Sequence, residues 1–277
     1  MDRREVLRVA GGLLAGALGA GAAEPPAGHV MTVRGPIQAG SMGVTLPHEH
    51  VLVDFIGAEK VSPSRYRTDD VIAAALPPLR RITSLGVSTF IDCTPAYLGR
   101  DPQLLRSLSD RIGLHILTNT GYYGAAAEKY LPAHARAESA DRLAERWLRE
   151  WRSGIGDSEI RPGFIKIGMD RGPLTENQRK LVRAAARVHR ESGLTIAAHT
   201  GDGAATAEQL KILVEEGVSP SGWIWVHAQS EPDPETHAKA ARAGAWVEFD
   251  GVGQGSIAVA VHSPALKVAD ESAIPSS

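Results

Sequence analysis

A (β/α)8 barrel of the TIM type is the fold class this 277-residue sequence predicts, and three features carry the expectation. Short apolar, β-prone runs alternate with helical segments, joined by glycine-marked turns, the pattern of parallel strands with crossover helices. The first strand runs on through HEHVLVDF, which is not the glycine-rich phosphate turn a doubly wound sheet would carry there. Candidate ligands fall at the C-terminal ends of the first, fourth, fifth and sixth strands, a rim that a barrel gathers around one point and an open sheet leaves apart. About seven βα units can be counted, so the barrel is expected to be incomplete at its C-terminus.

In chain order, Arg3-Arg4, a small apolar run over 9–23 and Ala20-Gly21-Ala22 read as a twin-arginine signal peptide over 1–22, cleaved by an A-x-A site. This predicts export of a folded protein to the periplasm, without stable membrane insertion after cleavage; an uncleaved anchor is the alternative. A Pro/Ala/Gly linker follows over 23–28, then the barrel over 29–257. An extended piece around 31–37 leads into GVTLPHEHVLVD at 43–54, where Val44, Leu46 and Val51 mark an apolar strand. His48 and His50, one residue apart, point the same way, with Glu49 facing away.

A helix over 68–85 places Leu79, Ile82 and Leu85 on one face, with a kink expected at Pro77-Pro78. Next come a strand at 87–93, a helix at 102–111 and a strand at 114–118. A loop with Thr120, Gly121, Tyr122 and Tyr123 precedes a helix at 140–152 bearing Leu143, Trp147 and Trp151. Strand 163–168, GFIKIG, turns Ile165 and Ile167 to one face and Phe164 and Lys166 to the other. A capping box from Thr175 to Gln178 opens a helix that ends at Gly193. Then follow a strand at 194–199, a helix with Leu210, Leu213 and Val214, a strand at 223–227, a helix from Asp233-Pro234 to Gly244, and a last strand at 245–249.

A formal charge of -2 offers no basic field for nucleic acid or anionic membrane, so both are excluded as partners. Cys93, the single cysteine, rules out an intramolecular disulfide and a cysteine-based zinc site. It reads as a packed strand residue. His199, after Thr195 and Ala197, and His227, after Trp223 and Trp225, each take the last inward position before a loop. One such histidine is ordinarily a core residue; four with matched placement read as metal ligands. Lys166 aimed at a barrel interior must be paired, deprotonated or chemically altered. Its alternatives are an ion pair with Asp92 or a Schiff-base role, the latter having no use for four histidines.

Gly43-Val44-Thr45-Leu46-Pro47-His48-Glu49-His50, the strand around Lys166, Ala198-His199-Thr200 and Val226-His227 resemble the phosphotriesterase family of the amidohydrolase superfamily, over about 33–257. The resemblance implies a metal-dependent hydrolase with two divalent ions, usually zinc, bridged by a hydroxide and by a carbamylated lysine. It implies that His48 and His50 bind the buried metal, His199 and His227 the more exposed one, and that Lys166 forms the bridging carbamate. The substrate would be a small-molecule ester: a phosphotriester, a lactone or a related carboxylic ester. A homodimer is also implied.

Tyr122, Tyr123, Met169, Asp170 and Arg171, on loops after the third and fourth strands, are placed to shape the substrate pocket. The family's remaining aspartate ligand, at the end of the eighth strand, has no counterpart here. Asp250, ending the seventh strand, is expected to line the site without that ligand role, and Asp270 is a weaker substitute. The tail over 258–277 reads as divergent or disordered, and an open barrel with impaired activity is expected. The competing function is a non-catalytic exported remnant that binds a metal or ligand, for which the missing aspartate is the supporting feature.

Overall fold

The computed structural model describes residues 28–251; the expected signal peptide, the linker up to residue 27, the tail over 258–277 and Asp270 lie outside the described residues. The extended piece around 31–37 is an antiparallel hairpin of β1 (His29–Thr32) and β2 (Gly35–Gln38). Val33 donates its N–H to the Ile116 carbonyl at 2.8 Å, and the Met31 carbonyl lies 2.5 Å from where a Cβ on Gly163 would stand. Both contacts fall where strands begin, so the hairpin covers the N-terminal mouth of the barrel.

The wall is parallel throughout. β3 (Val44–Glu49), β4 (Val87–Asp92) and β5 (His115–Leu117) form one sheet. β6 (Asn119–Thr120), β7 (Phe164–Met169), β8 (Ile196–Thr200), β9 (Trp223–Val226) and β10 (Trp246–Val247) form the other, in that spatial order. The predicted strand at 114–118 is thus part of a longer run that exchanges partners at Thr118, whose carbonyl accepts the Gly163 N–H at 2.8 Å. Its first half pairs β4 and its second half pairs β7.

Crossover helices α1 (Thr68–Ser84) and α2 (Pro102–Ile112) pack on the first sheet, and a short α3 (Ala133–Ala137), which the sequence reading missed, lies in the loop before α4 (Ala140–Ser153). α5 (Glu176–Ser192), α6 (Gly203–Glu215) and α7 (Pro234–Arg242) complete the set. The count of about seven units therefore corresponds, among the described residues, to seven strand positions and six crossovers. No helix among them is long and apolar enough to cross a membrane. The chain is an α/β protein of the TIM-barrel type.

Local chemistry accounts for the helix ends. Thr175 and Gln178 make the reciprocal capping box, Asp101 caps Leu104 N–H ahead of Pro102, and Gly113 and Gly193 close their helices in the left-handed conformation. α1 runs as one element through Pro77-Pro78, and its Leu85 is 74% exposed because the helix has ended at Ser84. Val214 is likewise exposed on α6, where Ile212 and Leu213 are the buried pair.

Cys93, Leu117, Phe164, Ala197 and Val226 pack together inside the barrel, bringing five strand positions to one interior. Ile165, Ile167 and Met169 face instead the layer under α4 and α5. Trp223 and Trp225 lie in that outer layer too, which corrects the reading that gave them the inward face of β9; Ile224 and Val226 hold it.

Candidate metal centre

Two backbone irregularities deliver the histidines. Along β3, Leu46 pairs Phe90 and Glu49 pairs Asp92, three steps against two, so a bulge inserts one residue between them. Leu46 and Phe90 both pack under α1 and α2. Strict alternation would send His48 the same way; the bulge resets the parity, turning Glu49 outward beside Asp92 and His48 inward. At the end of β9, His227 follows the outward parity of Trp223 and Trp225, but its φ of 62° is left-handed and swings the ring back over the strand ends. β8 needs no such device, because His199 shares the inward face of Ala197.

The five expected ligands converge. Ring centroids of His48 and His50 are 5.3 Å apart, those of His48 and His227 4.6 Å, and those of His199 and His227 4.7 Å. Lys166, 2% exposed, brings Nζ to 3.4 Å from His48 Nε2. The ion pair with Asp92 does not form: Asp92 faces outward and accepts the Val51 N–H at 2.8 Å and the Thr94 N–H at 3.0 Å. Thr94 in turn contacts His50 Nδ1 at 2.8 Å, leaving the other ring nitrogen for a ligand.

Asp250 joins the cluster. Along the chain after β10, Val247 packs into the outer layer while Glu248 and Asp250 point in. Asp250 Oδ2 lies 2.8 Å from His48 Nδ1 and 2.7 Å from His227 Nδ1, and Glu248 Oε1 lies 3.5 Å from His48 Nδ1. His48, His227 and Asp250 present donor atoms within 4.8 Å of one another, a spacing that suits one metal ion. Sequence reasoning missed Thr94 and Glu248; the period-two spacing of Glu248 from Asp250 was the signal for the latter.

Electrostatics favours neutral imidazoles at His50, His199 and His227. Burial, then the charge on His48, holds His50 well below the usual histidine range. Burial and His227 do the same to His199. His227 is lowered by burial, against the pull of Asp250. Burial would raise Asp250, but the facing imidazoles of His227 and His48 outweigh it and hold the carboxyl well below its ordinary value. Unprotonated nitrogens beside a carboxylate are the donor set that a divalent ion takes. Three of the buried atoms, His48 Nδ1, Glu248 Oε1 and Asp250 Oδ2, find no hydrogen-bond geometry within the protein, so the residues present fit a metal. Cys93 belongs to the packing: burial pushes its thiol up to about 12.

Of the residues expected to shape the pocket, Tyr123 packs its ring 5.1 Å from His199. Tyr122 and Met169 do not line a pocket: Met169 is fully buried under the helices, and Tyr122 packs edge-on to Trp147 and meets His134 Nε2 at 3.0 Å. Asp170 accepts the Ala126 and Ala127 N–H groups and the Gln178 amide, bracing the loop after Tyr123. Exposed Arg171 reaches Asp202 at 3.7 Å.

The chain is similar to known proteins in sequence and in fold. The profile of the Phosphotriesterase family matches residues 28–270. A phosphotriesterase homology protein of Escherichia coli is 30% identical over 215 residues, 77% of this chain and 72% of the relative. An aryldialkylphosphatase of Saccharolobus solfataricus is 29% identical over 218 residues, 78% and 68% of the two chains. The structure of an organophosphorus hydrolase from Deinococcus radiodurans superposes with a TM-score of 0.74 at 31% identity, covering 86% of this chain and 73% of that one.

Proposed function

Because the chain belongs to the phosphotriesterase family and is a metal-dependent hydrolase, we propose that it cleaves a small-molecule ester, a phosphotriester, lactone or related carboxylic ester, with two divalent ions held at the strand ends. His48 and His50 are assigned to one ion, His199 and His227 to the other, and Lys166, as a carbamate, to both. The observation that carries the reading is the convergence of these five residues from four strands, with a buried lysine that makes no ion pair to a carboxylate among the described residues. A carbamate would convert that ammonium into an anionic oxygen ligand and remove the burial penalty. The nitrogen-rich donor set supports zinc.

Bound there, the ions would supply Lewis-acid polarisation of the ester oxygen and a water acidic enough to attack near neutral pH. The chain's own part is to orient and enclose. Thr94 sets the His50 ring, Tyr123 walls the His199 side, and Asp170 ties down the loop that follows Tyr123. The relatives named for aryldialkylphosphatase and organophosphorus hydrolase activity support a phosphotriester substrate, and a lactone belongs in the same screen. The twin-arginine pattern at Arg3-Arg4 supports a periplasmic setting.

Elemental analysis of purified protein should give about two metals per chain, and aryl phosphotriester or lactone hydrolysis should be abolished by chelator and restored by zinc. Lys166→Ala should lose bound metal and turnover together, by at least about a hundredfold in rate. Chelator-insensitive turnover, or a Lys166→Ala protein with both properties intact, would refute the assignment.

A further inference from the structure

Among the described residues, Asp250 brings a carboxylate to this cluster from the seventh strand position. We propose that Asp250, at the end of the seventh strand position, is a direct ligand of the ion assigned to His48, at the side where His227 of the neighbouring ion also approaches, and that Gln229 is the residue that positions it. The proposal rests on the metal-dependent reading and adds to it a carboxylate oxygen, which none of the five expected ligands supplies.

One oxygen, Asp250 Oδ2, is approached by imidazole nitrogens from two different strand positions, at 2.8 Å from His48 and 2.7 Å from His227. In a plain ion pair, His48 Nδ1 and Asp250 Oδ2 would line up as donor and acceptor. They do not: both are buried and neither finds hydrogen-bond geometry, and Glu248 Oε1 beside them is in the same condition. Buried polar atoms that crowd together without bonding one another are satisfied by a cation between them. Glu248 reaches only His48, at 3.5 Å, whereas Asp250 reaches both rings, which makes Asp250 the ligand.

The backbone holds Asp250 in this pose. Glu248 donates its N–H to the Trp225 carbonyl and accepts the Ala228 N–H, each at 2.9 Å, so pairing continues past β10 and sets the register at residue 250. Gln229 then donates its amide to Asp250 Oδ1 at 2.6 Å. That contact occupies one carboxylate oxygen and leaves the other facing the histidines, the task of an orienting partner outside the ligand shell.

The test is cobalt titration of chelator-treated full-length protein, read by visible absorption and by elemental analysis. Wild type should take up Co²⁺ with a tetrahedral or five-coordinate band. Asp250→Asn, with wild-type far-ultraviolet circular dichroism, should lose about one equivalent of cobalt or bind it at least tenfold more weakly, with a shifted band. Gln229→Leu should reach wild-type stoichiometry with affinity lowered about 10- to 100-fold. Wild-type affinity and spectrum in Asp250→Asn would overturn the ligand assignment while leaving the metal-dependent reading intact. If Asp250→Asn does not fold, unchanged affinity and spectrum in Gln229→Leu overturns it. A wild-type protein that takes up no metal would overturn both.

Discussion

Two outward-facing acids sit directly behind the clustered histidines. Burial raises Asp92 to about 6 from its ordinary 3.8, and burial raises Glu49 to about 7 from 4.5. A folded-state value above the unfolded one means that the native chain holds the proton more tightly. The stability Asp92 contributes is therefore fully present below its unfolded value and is lost as pH rises through about 6. The lowered imidazoles of His50, His199 and His227 act in the opposite sense, losing stability as pH falls, so the informative quantity is a difference between variants. Asp92→Asn should destabilise the metal-free protein by about 1–3 kcal/mol, because one of the Val51 and Thr94 N–H groups loses its acceptor. That deficit, measured by urea unfolding, should shrink between pH 4 and pH 7. A pH-independent deficit would show that Asp92 does not titrate as its burial requires.

Among the elements, the strand that carries Lys166 is held by an unusually close neighbour. Gly121 follows β6 with φ +114°, and a Cβ built on it would stand 2.2 Å from the Lys166 carbonyl oxygen. Only a residue without a side chain lets the third and fourth strand positions approach this closely while Tyr123 bridges to Gly168. Gly121→Ala combines a backbone clash with left-handed strain and should cost about 3 kcal/mol or more. It should also displace Lys166 and weaken metal uptake. Urea unfolding with matched cobalt titration would show both effects; a variant with wild-type stability would mean that the loop relaxes freely.

For the whole molecule, the important fact is where the wall is joined. β5 and β6 are continuous through Thr118, but β3 and β10 end their sheets and do not pair with each other among the described residues. Near their outer ends, Val44 and Trp246 are 60% and 65% exposed. At their C-terminal ends the two sheets do meet, through His48 on one and His227 and Asp250 on the other. A metal there clamps one sheet to the other, so loading should stabilise the fold as a whole. At a free-metal concentration a hundred times Kd the gain is about 2.7 kcal/mol, worth roughly 5 °C in Tm for a chain of this size. Calorimetry with and without chelator reads this directly, and a Tm indifferent to metal would place the ion elsewhere.

What was legible in the sequence was what neighbours along the chain decide. Strand and helix alternation, the Thr175 capping box, the Asp101-Pro102 and Asp233-Pro234 helix starts and the inward parity of Lys166 and His199 all follow from periodicity and local bonding, which need no tertiary context. The sequence by itself therefore determined the barrel-type class and named the five side chains that converge. Only the tertiary structure decided how two of them arrive: the bulge before His48, seen in its pairing with β4, and the left-handed backbone at His227 each break strict alternation. The same holds for the outward tryptophans of β9, the packing of Tyr122 and Met169 under the helices, and the meeting of Asp250 with His48 from the far edge of the wall. Residues 202 positions apart touch because the wall curves back on itself, and no local pattern encodes that closure.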